Sequence, residues 1–307
     1  MRISGDGYLA DMQRSLTTAE TALRRLSQQI SSGRRLTRPS DDPLAVGQVI
    51  GARSDLAAVL NRQDALARGI MLTGSADAAL DEISAALRNA LDLVVGAGQP
   101  GGTEAIRSAT AASLRSLRER ILDQANASAQ GDYLFGGRLS RAQPCADGPG
   151  GVSYAGDSRG LELWVAPARP MEVTIPGDRL FNFADADGAR AVAGVDTDLF
   201  ALLDTLADAI AAGDAGTVAA RANDLQRLYD HVIQQRGVLG ARTQRLQDGQ
   251  DAARDAELVC RDLLSRVEDV DLAAALAELE LRQLNYQAAL AATAKLAALP
   301  TLFELDW

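Results

Sequence analysis

Apolar residues recur at alternating steps of three and four along residues 8–32, where Leu9, Met12, Leu16, Ala19, Leu23, Leu26 and Ile30 wind onto one narrow seam of a helix. The same steps return at the far end of the chain through Leu272, Leu276, Leu279, Gln283, Tyr286, Leu290 and Thr293. Neither seam has an evident partner nearby in sequence, so the two termini are expected to pair with each other or with copies of themselves. After the first seam, Gly33, Pro39 and the Asp42–Pro43 pair mark a helix stop and restart. A second helix is predicted from Pro43 to about Met71, and a third over 76–95 with Leu80, Ile83, Leu87, Leu91 and Val94 on one stripe. A Gly-rich turn at 96–102 leads to a Thr103-capped helix reaching about Ser128, which closes an antiparallel hairpin.

Beyond Gln130 the period changes from 3.6 to 2. Three short alternating runs follow: Val152 and Tyr154, then Leu161, Leu163 and Val165, then Met171, Val173 and Ile175. Seven of the twelve aromatic residues fall between 133 and 200, which predicts a small β module that builds its core from them. Helix returns at Asp196, breaks at Gly213–Gly216, and resumes as one long helix whose three-four alternation runs from Leu225 to Val270. VEDVD at 267–271 reads as a bend before the terminal helix, and Pro300 in the tail ALPTLFELDW ends it. The expected fold is mainly α: a long helical rod with paired terminal coiled-coil helices and a small inserted β-rich domain. Its expected divisions are 1–35 with 271–307 (terminal helices), 36–137 with 200–270 (rod) and 138–199 (β-rich outer domain).

Composition narrows the function. Apolar residues make up 47% of the 307, enough for a sizeable core, and aromatics only 4%, as in a chain of long helices. The net charge of −10, with arginines scattered, argues against a nucleic-acid partner. Charge is unevenly divided: residues 1–38 hold seven arginines against three acidic groups, whereas 251–307 hold eleven acidic against five basic ones. Opposite signs favour pairing of the ends, although exposed pairs contribute only about 0.2–1 kcal/mol each. No stretch has the length and apolarity of a membrane span, and the N-terminus has no apolar signal region, so neither a membrane nor a cleaved leader is expected. Cys145 and Cys260 form no disulfide framework or metal spacing, and no cofactor motif occurs.

Several motifs resemble one family in chain order. QQISSGRRLTRPSDDPLAV at 28–46, with Pro39, Ser40, Asp41, Asp42 and Pro43 at its centre, is similar to the N-terminal signature of the flagellin superfamily, and its double-proline form is closer to the hook-associated branch. GDYLFGG at 131–137, containing Tyr133, Leu134, Phe135, Gly136 and Gly137, is similar to the same branch, as are YAGDSRG at 154–160 and VTIPGDRLF at 173–181. The C-terminal stretch from Val267 to Leu296 resembles its terminal helix. The resemblance implies a structural adaptor between the bacterial flagellar hook and filament, with hook-associated protein 1, flagellin and copies of itself as partners. It also implies export through the flagellar channel without a cleaved signal, and a cytosolic export chaperone. On this reading the seam residues Leu9, Met12, Leu16, Leu23, Leu26, Ile30, Leu272, Leu276, Leu279, Tyr286 and Leu290 carry assembly.

The rival readings are a flagellin-type filament subunit, a cytosolic coiled-coil scaffold, and an esterase using Ser158 in GDSRG with His231 as base. Gly and Asp between alternating strands make a hairpin turn, which accounts for GDS without catalysis. Ser158→Ala and His231→Ala are therefore expected to swim like the parent, as scored by motility counts. A loss of about a hundredfold in a measured hydrolase activity in either variant would overturn the structural reading.

Overall fold

The computed structural model describes residues 5–98, 102–166, 169–185 and 187–297. In chain order the elements are α1 (Gly5–Ser32), α2 (Pro43–Ala97), α3 (Glu104–Ala125), β1 (Ser128–Ala129), β2 (Asp132–Tyr133), β3 (Cys145–Gly148), β4 (Gly151–Tyr154), β5 (Glu162–Ala166), β6 (Arg169–Glu172), α4 (Gly177–Phe181), α5 (Leu199–Ala212), α6 (Ala215–Glu268) and α7 (Leu272–Ala297). The chain divides into two compact units, one formed by Met1–Val59 with Ala256–Trp307 and the other by Leu60–Asp255. The expected boundaries were 35/36, 137/138, 199/200 and 270/271, so the first turns of α2 and the last turns of α6 belong with the terminal helices rather than with the rod. The tail at 298–307 lies outside the described residues.

In the larger unit, α2 runs antiparallel to α6. A Cβ built on Gly249 would lie 3.1 Å from Leu66, and one built on Gly69 would lie 3.1 Å from both Leu246 and Leu163. Each glycine thus receives a leucine of the facing helix, which lets the two backbones approach. Arg236 of α6 continues the contact, with Nε 2.9 Å from Asp77 and Nη1 2.6 Å from Asp81. On the other side α3 and α5 pair antiparallel, marked by Arg115–Asp208 at 2.6 Å and Arg118–Asp204 at 2.9 Å.

The expected break between helices at 71–76 does not occur, and α2 is a single helix of 55 residues. Leu72, Thr73 and Ala76 are buried, and the Thr73 hydroxyl donates to the Gly69 carbonyl at 3.0 Å. Gly74 costs a helix only about 1 kcal/mol relative to Ala, and burial of its neighbours outweighs that. Local caps fall where the sequence placed them. Thr103 accepts from the Ile106 N–H, Asp42 from the Ala45 N–H, and Gly213 ends α5 in the left-handed conformation.

The strands form three separate two-stranded antiparallel pairs, β1–β2, β3–β4 and β5–β6. Val173 and Ile175, expected in the third run, lie outside them, and Val173 N–H donates to the Leu161 carbonyl at 2.8 Å. Five of the seven expected aromatic residues pack on one another: Phe181 lies 6.0 Å from Phe135 and 5.4 Å from Phe200, and Tyr154 stacks on Phe183 at 5.7 Å between ring centroids; Trp164 departs from the expectation and is exposed, and Tyr133 is half-buried. Their core is not a separate one. Phe135, Cys145, Ile175, Phe181 and Phe183 belong to a single cluster with Leu80, Leu114, Leu203 and Leu228 of the helices. Arg118 of α3 ties the two layers together, holding Asp147 of β3 with two hydrogen bonds at 2.9 and 3.0 Å and Asp204 of α5 with a third.

Because hairpins and helices share one core, Phe181→Ala is expected to lower stability by about 3–5 kcal/mol and to melt the helices along with the hairpins. Removal of 138–199 should likewise shift the helical transition seen by circular dichroism. An unchanged helical melt in either protein would show that the hairpins have a core of their own.

Candidate assembly surface

The terminal unit is built by α1 and α7, which pack against each other within the one chain, together with the adjoining ends of α2 and α6. On α1 the structure places Leu26 in the buried class and Met12, Leu16, Ala19, Leu23 and Ile30 half-buried along one side. Leu9 lies on α1, but its side chain is outside the described residues. On α7 the inward side is Ala275, Leu279, Tyr286, Ala289 and Thr293. Of the α7 seam expected from periodicity, Leu279 and Tyr286 face inward, whereas Leu272, Leu276 and Leu290 are exposed. An open groove of about 560 Å³ runs between the two helices, lined among others by Thr21, Arg25, Leu26, Glu278 and Arg282.

Exposed apolar side chains continue beyond that seam. Leu281 and Leu284 stand 58% and 62% exposed on the side of α7 away from its buried residues, Leu44 and Ile50 are exposed on α2, and Leu258, Val259 and Leu263 on α6. Periodicity did not single these out, because Leu281 and Leu284 fall between heptad positions. The signal available was composition: α7 carries Leu and Ala on all sides, and a helix apolar all round is normally covered all round. The terminal unit supplies no such cover. Among the described residues its buried apolar side chains are Leu26, Ala45, Ala52, Val59 and Ala275, of which two, Leu26 and Val59, are larger than alanine.

The Pro39–Pro43 motif builds the connection between α1 and α2. Pro39 and Ser40 are exposed. Asp41 accepts from the Arg38 N–H at 3.0 Å and the Thr37 hydroxyl at 3.1 Å, and lies 3.3 Å from Arg25 of α1. Desolvation raises the Asp41 pKa, but the two hydrogen bonds and the Arg25 charge outweigh it and hold the carboxyl below the ordinary aspartate range. Asp42 caps α2 and Pro43 is its first residue.

The other three motifs meet at one point in the larger unit. The Tyr154 hydroxyl donates to the Phe135 carbonyl at 2.8 Å and accepts from the Gly177 N–H at 3.1 Å, while Gly177 N–H also donates to Phe135 O at 2.8 Å. Burial pushes the Tyr154 phenol up, so it stays protonated and able to donate. Asp157 N–H reaches the Gly136 carbonyl, and Gly137 has a φ of +64°, where a Cβ would collide with the Asp157 carbonyl. Leu134 and Phe135 are buried and Tyr133 is half-buried. These residues form an interior knot rather than a contact surface.

Ser158 and His231 do line one cleft of about 370 Å³, together with Asp178. His231 Nε2 lies 2.7 Å from the Arg179 carbonyl, so that nitrogen carries its proton and donates. In that tautomer Nε2 is not the nitrogen that could accept a serine proton. Cys145 is buried in the shared core, where desolvation pushes its thiol up to about 12, and it stays protonated. Among the described residues no His, Cys, Asp and Glu gather as a metal site.

Comparison with known proteins places these features. The model of the bacterial flagellin N-terminal helical region matches residues 3–139, and that of the bacterial flagellin C-terminal helical region matches 220–302, together well over half of the chain. The flagellar hook-associated protein 3 of Escherichia coli K12 is 26% identical over 325 aligned residues, covering 100% of both chains. That of Salmonella typhimurium LT2 is 27% identical and covers 94% of each. Among solved structures, a putative flagellar hook-associated protein from Vibrio parahaemolyticus superposes with a TM-score of 0.64 at 20% identity, over 75% of this chain and 100% of that one.

The depressed Asp41 pKa has a measurable consequence. Its stabilisation is fully present above the unfolded aspartate value of about 3.9 and is lost as pH falls through the lower folded value. The protection factor of the Arg38 amide should therefore hold at neutral pH, fall in acid below the ordinary aspartate range, and be low at every pH in Asp41→Ala. Equal protection in parent and variant would remove Asp41 from this role.

Proposed function

We infer, for a chain that belongs to the flagellin family and within it to the hook-associated protein 3 branch, that the terminal unit is the surface through which it joins hook to filament. The protein is a structural component of the flagellum. The observation that carries the assembly reading is the distribution of exposed apolar side chains. Among the described residues, ten of the seventeen exposed large hydrophobic side chains lie in the terminal unit, although the other unit is much the longer of the two. Burying a large apolar side chain is worth about 1.5–3 kcal/mol, so a unit that leaves Leu44, Leu258, Leu281 and Leu284 in water gains most by meeting neighbours. Copies of this chain, hook-associated protein 1 on one side and flagellin on the other are the proposed neighbours.

Thin burial also fits the proposed route. Helices whose core is incomplete unfold at low cost, which suits export through the flagellar channel without a cleaved signal and with a cytosolic chaperone covering the apolar faces beforehand. Among the described residues no helix is long and apolar enough to cross a membrane. Turnover has no part in this role. His231 is engaged by the Arg179 backbone carbonyl.

The test is a strain lacking this chain, complemented with Leu281→Asp plus Leu284→Asp, or with Leu23→Asp. Electron microscopy should show hooks without filaments and flagellin should appear in the medium. The purified variants should melt within about 0.5 kcal/mol of the parent for the exposed pair, since surface changes cost little. Normal filaments from the exposed-pair variant would overturn the reading.

A further inference from the structure

At the joint between the terminal hairpin and the helices that continue from it, one carboxylate meets two arginines from different stretches of chain. Glu268, the last residue of α6, keeps only 12% of its side chain exposed. Its Oε1 forms an ion pair with Arg34 Nε at 2.9 Å and accepts from Arg53 Nη2 at 2.7 Å, and its Oε2 takes the same Arg53 nitrogen at 2.9 Å. Arg34 lies in the connection after α1 and Arg53 lies on α2, so one side chain gathers three separate stretches of chain. The backbone repeats the convergence. Arg35 N–H donates to the Glu268 carbonyl at 2.7 Å, Val270 N–H to the Gly33 carbonyl at 3.0 Å, and the Arg35 guanidinium to the Val267 carbonyl at 3.0 Å. Both chain directions change at this level, with Gly33 at a φ of +69° after α1 and Asp271 accepting from the Ala273 and Ala274 N–H groups at the start of α7.

Apolar packing does not fix the angle there. Among the described residues the buried hydrophobic side chains of the unit are few, and those in the first turns of α2 and α7 are alanines: Ala45, Ala52 and Ala275. We propose that Glu268 is the positioning residue of the assembly surface: by clasping Arg34 and Arg53 it sets the direction in which the α1–α7 hairpin presents Leu281 and Leu284 relative to Leu44, Ile50 and Val259. A charge clasp between half-exposed arginines holds one arrangement yet opens without breaking a hydrophobic core, since neither guanidinium is buried. A chain that must meet unlike neighbours on its two sides needs that adjustability, and in this respect the proposal rests on the function inferred above.

The test uses the full chain in a Cys260→Ser background, with spin labels at Ser27→Cys on α1 and Ser54→Cys on α2, both exposed sites of the same unit. The parent should give one narrow distance. Glu268→Gln, which keeps the shape and removes the charge, should raise a second, splayed population about tenfold, with the helical melt unchanged. A parent-like distance in Glu268→Gln would overturn the proposal, as would a splayed population that arises only with loss of helical signal. The distances are read on the isolated chain, so they stand whether or not it joins hook to filament; filament counts for the same variant test that reading separately.

Discussion

Two leucine-on-glycine contacts set the spacing on which the larger unit depends. Leu66 of α2 covers Gly249 of α6, and three residues further on Leu246 of α6 covers Gly69 of α2. A side chain at either glycine would require the facing leucine to give way by a few tenths of an ångström, and close-packed interiors resist such shifts. Gly69 also takes Leu163 of β5, so the same close approach seats a hairpin on the helix pair. Arg236 and Arg242 then lock the arrangement with polar contacts, the latter donating to the Thr174 carbonyl and to Glu172 at 2.8 Å each.

From that platform the hairpins acquire their positions without a sheet of their own. Two-stranded pairs are marginal in water, and here each is held by something outside the pair. Asn126 at the end of α3 grips Cys145 through both its amide nitrogen and its oxygen. Asn182, buried and in the left-handed conformation, ties the following loop by bonds to Val192, Val195 and Thr197. The Tyr154 hydroxyl joins the 131–137 stretch to α4. Irregular backbone survives inside this unit because buried side chains answer its polar groups one by one.

The terminal unit follows a different economy. Its helices are long, their caps are in place, and its ion pairs are many, but its own chain provides little apolar cover. Such a unit is more dependent on concentration and on neighbours than the rest of the molecule. The consequence for a junction is useful. The part proposed to meet neighbours is the part with least to lose on unfolding, because few of its apolar side chains are buried among the described residues.

The sequence by itself determined what depends on nearest neighbours along the chain. Asp42–Pro43, Thr103 and Gly213 act within one helical turn, so stops and starts could be read from them directly, and the seam on α1 was legible because polar residues occupy its other side. The motifs that identified the family were legible for the same reason, although their meeting around Tyr154 was not. Only the tertiary structure decided matters in which a distant surface competes with local preference. Burial of Leu72 and Thr73 overrode Gly74 and kept α2 whole. Packing with α3 and α5 drew Phe135, Phe181, Phe183 and Phe200 into the helical core, while Trp164 stayed outside it. On α7, leucines on every side make several faces equally eligible, and the choice of Ala275, Leu279 and Tyr286 as the inward one belongs to α1, which lies more than two hundred residues away in sequence. Periodicity reports that a face exists; which face is covered depends on the free energy of the partner that covers it.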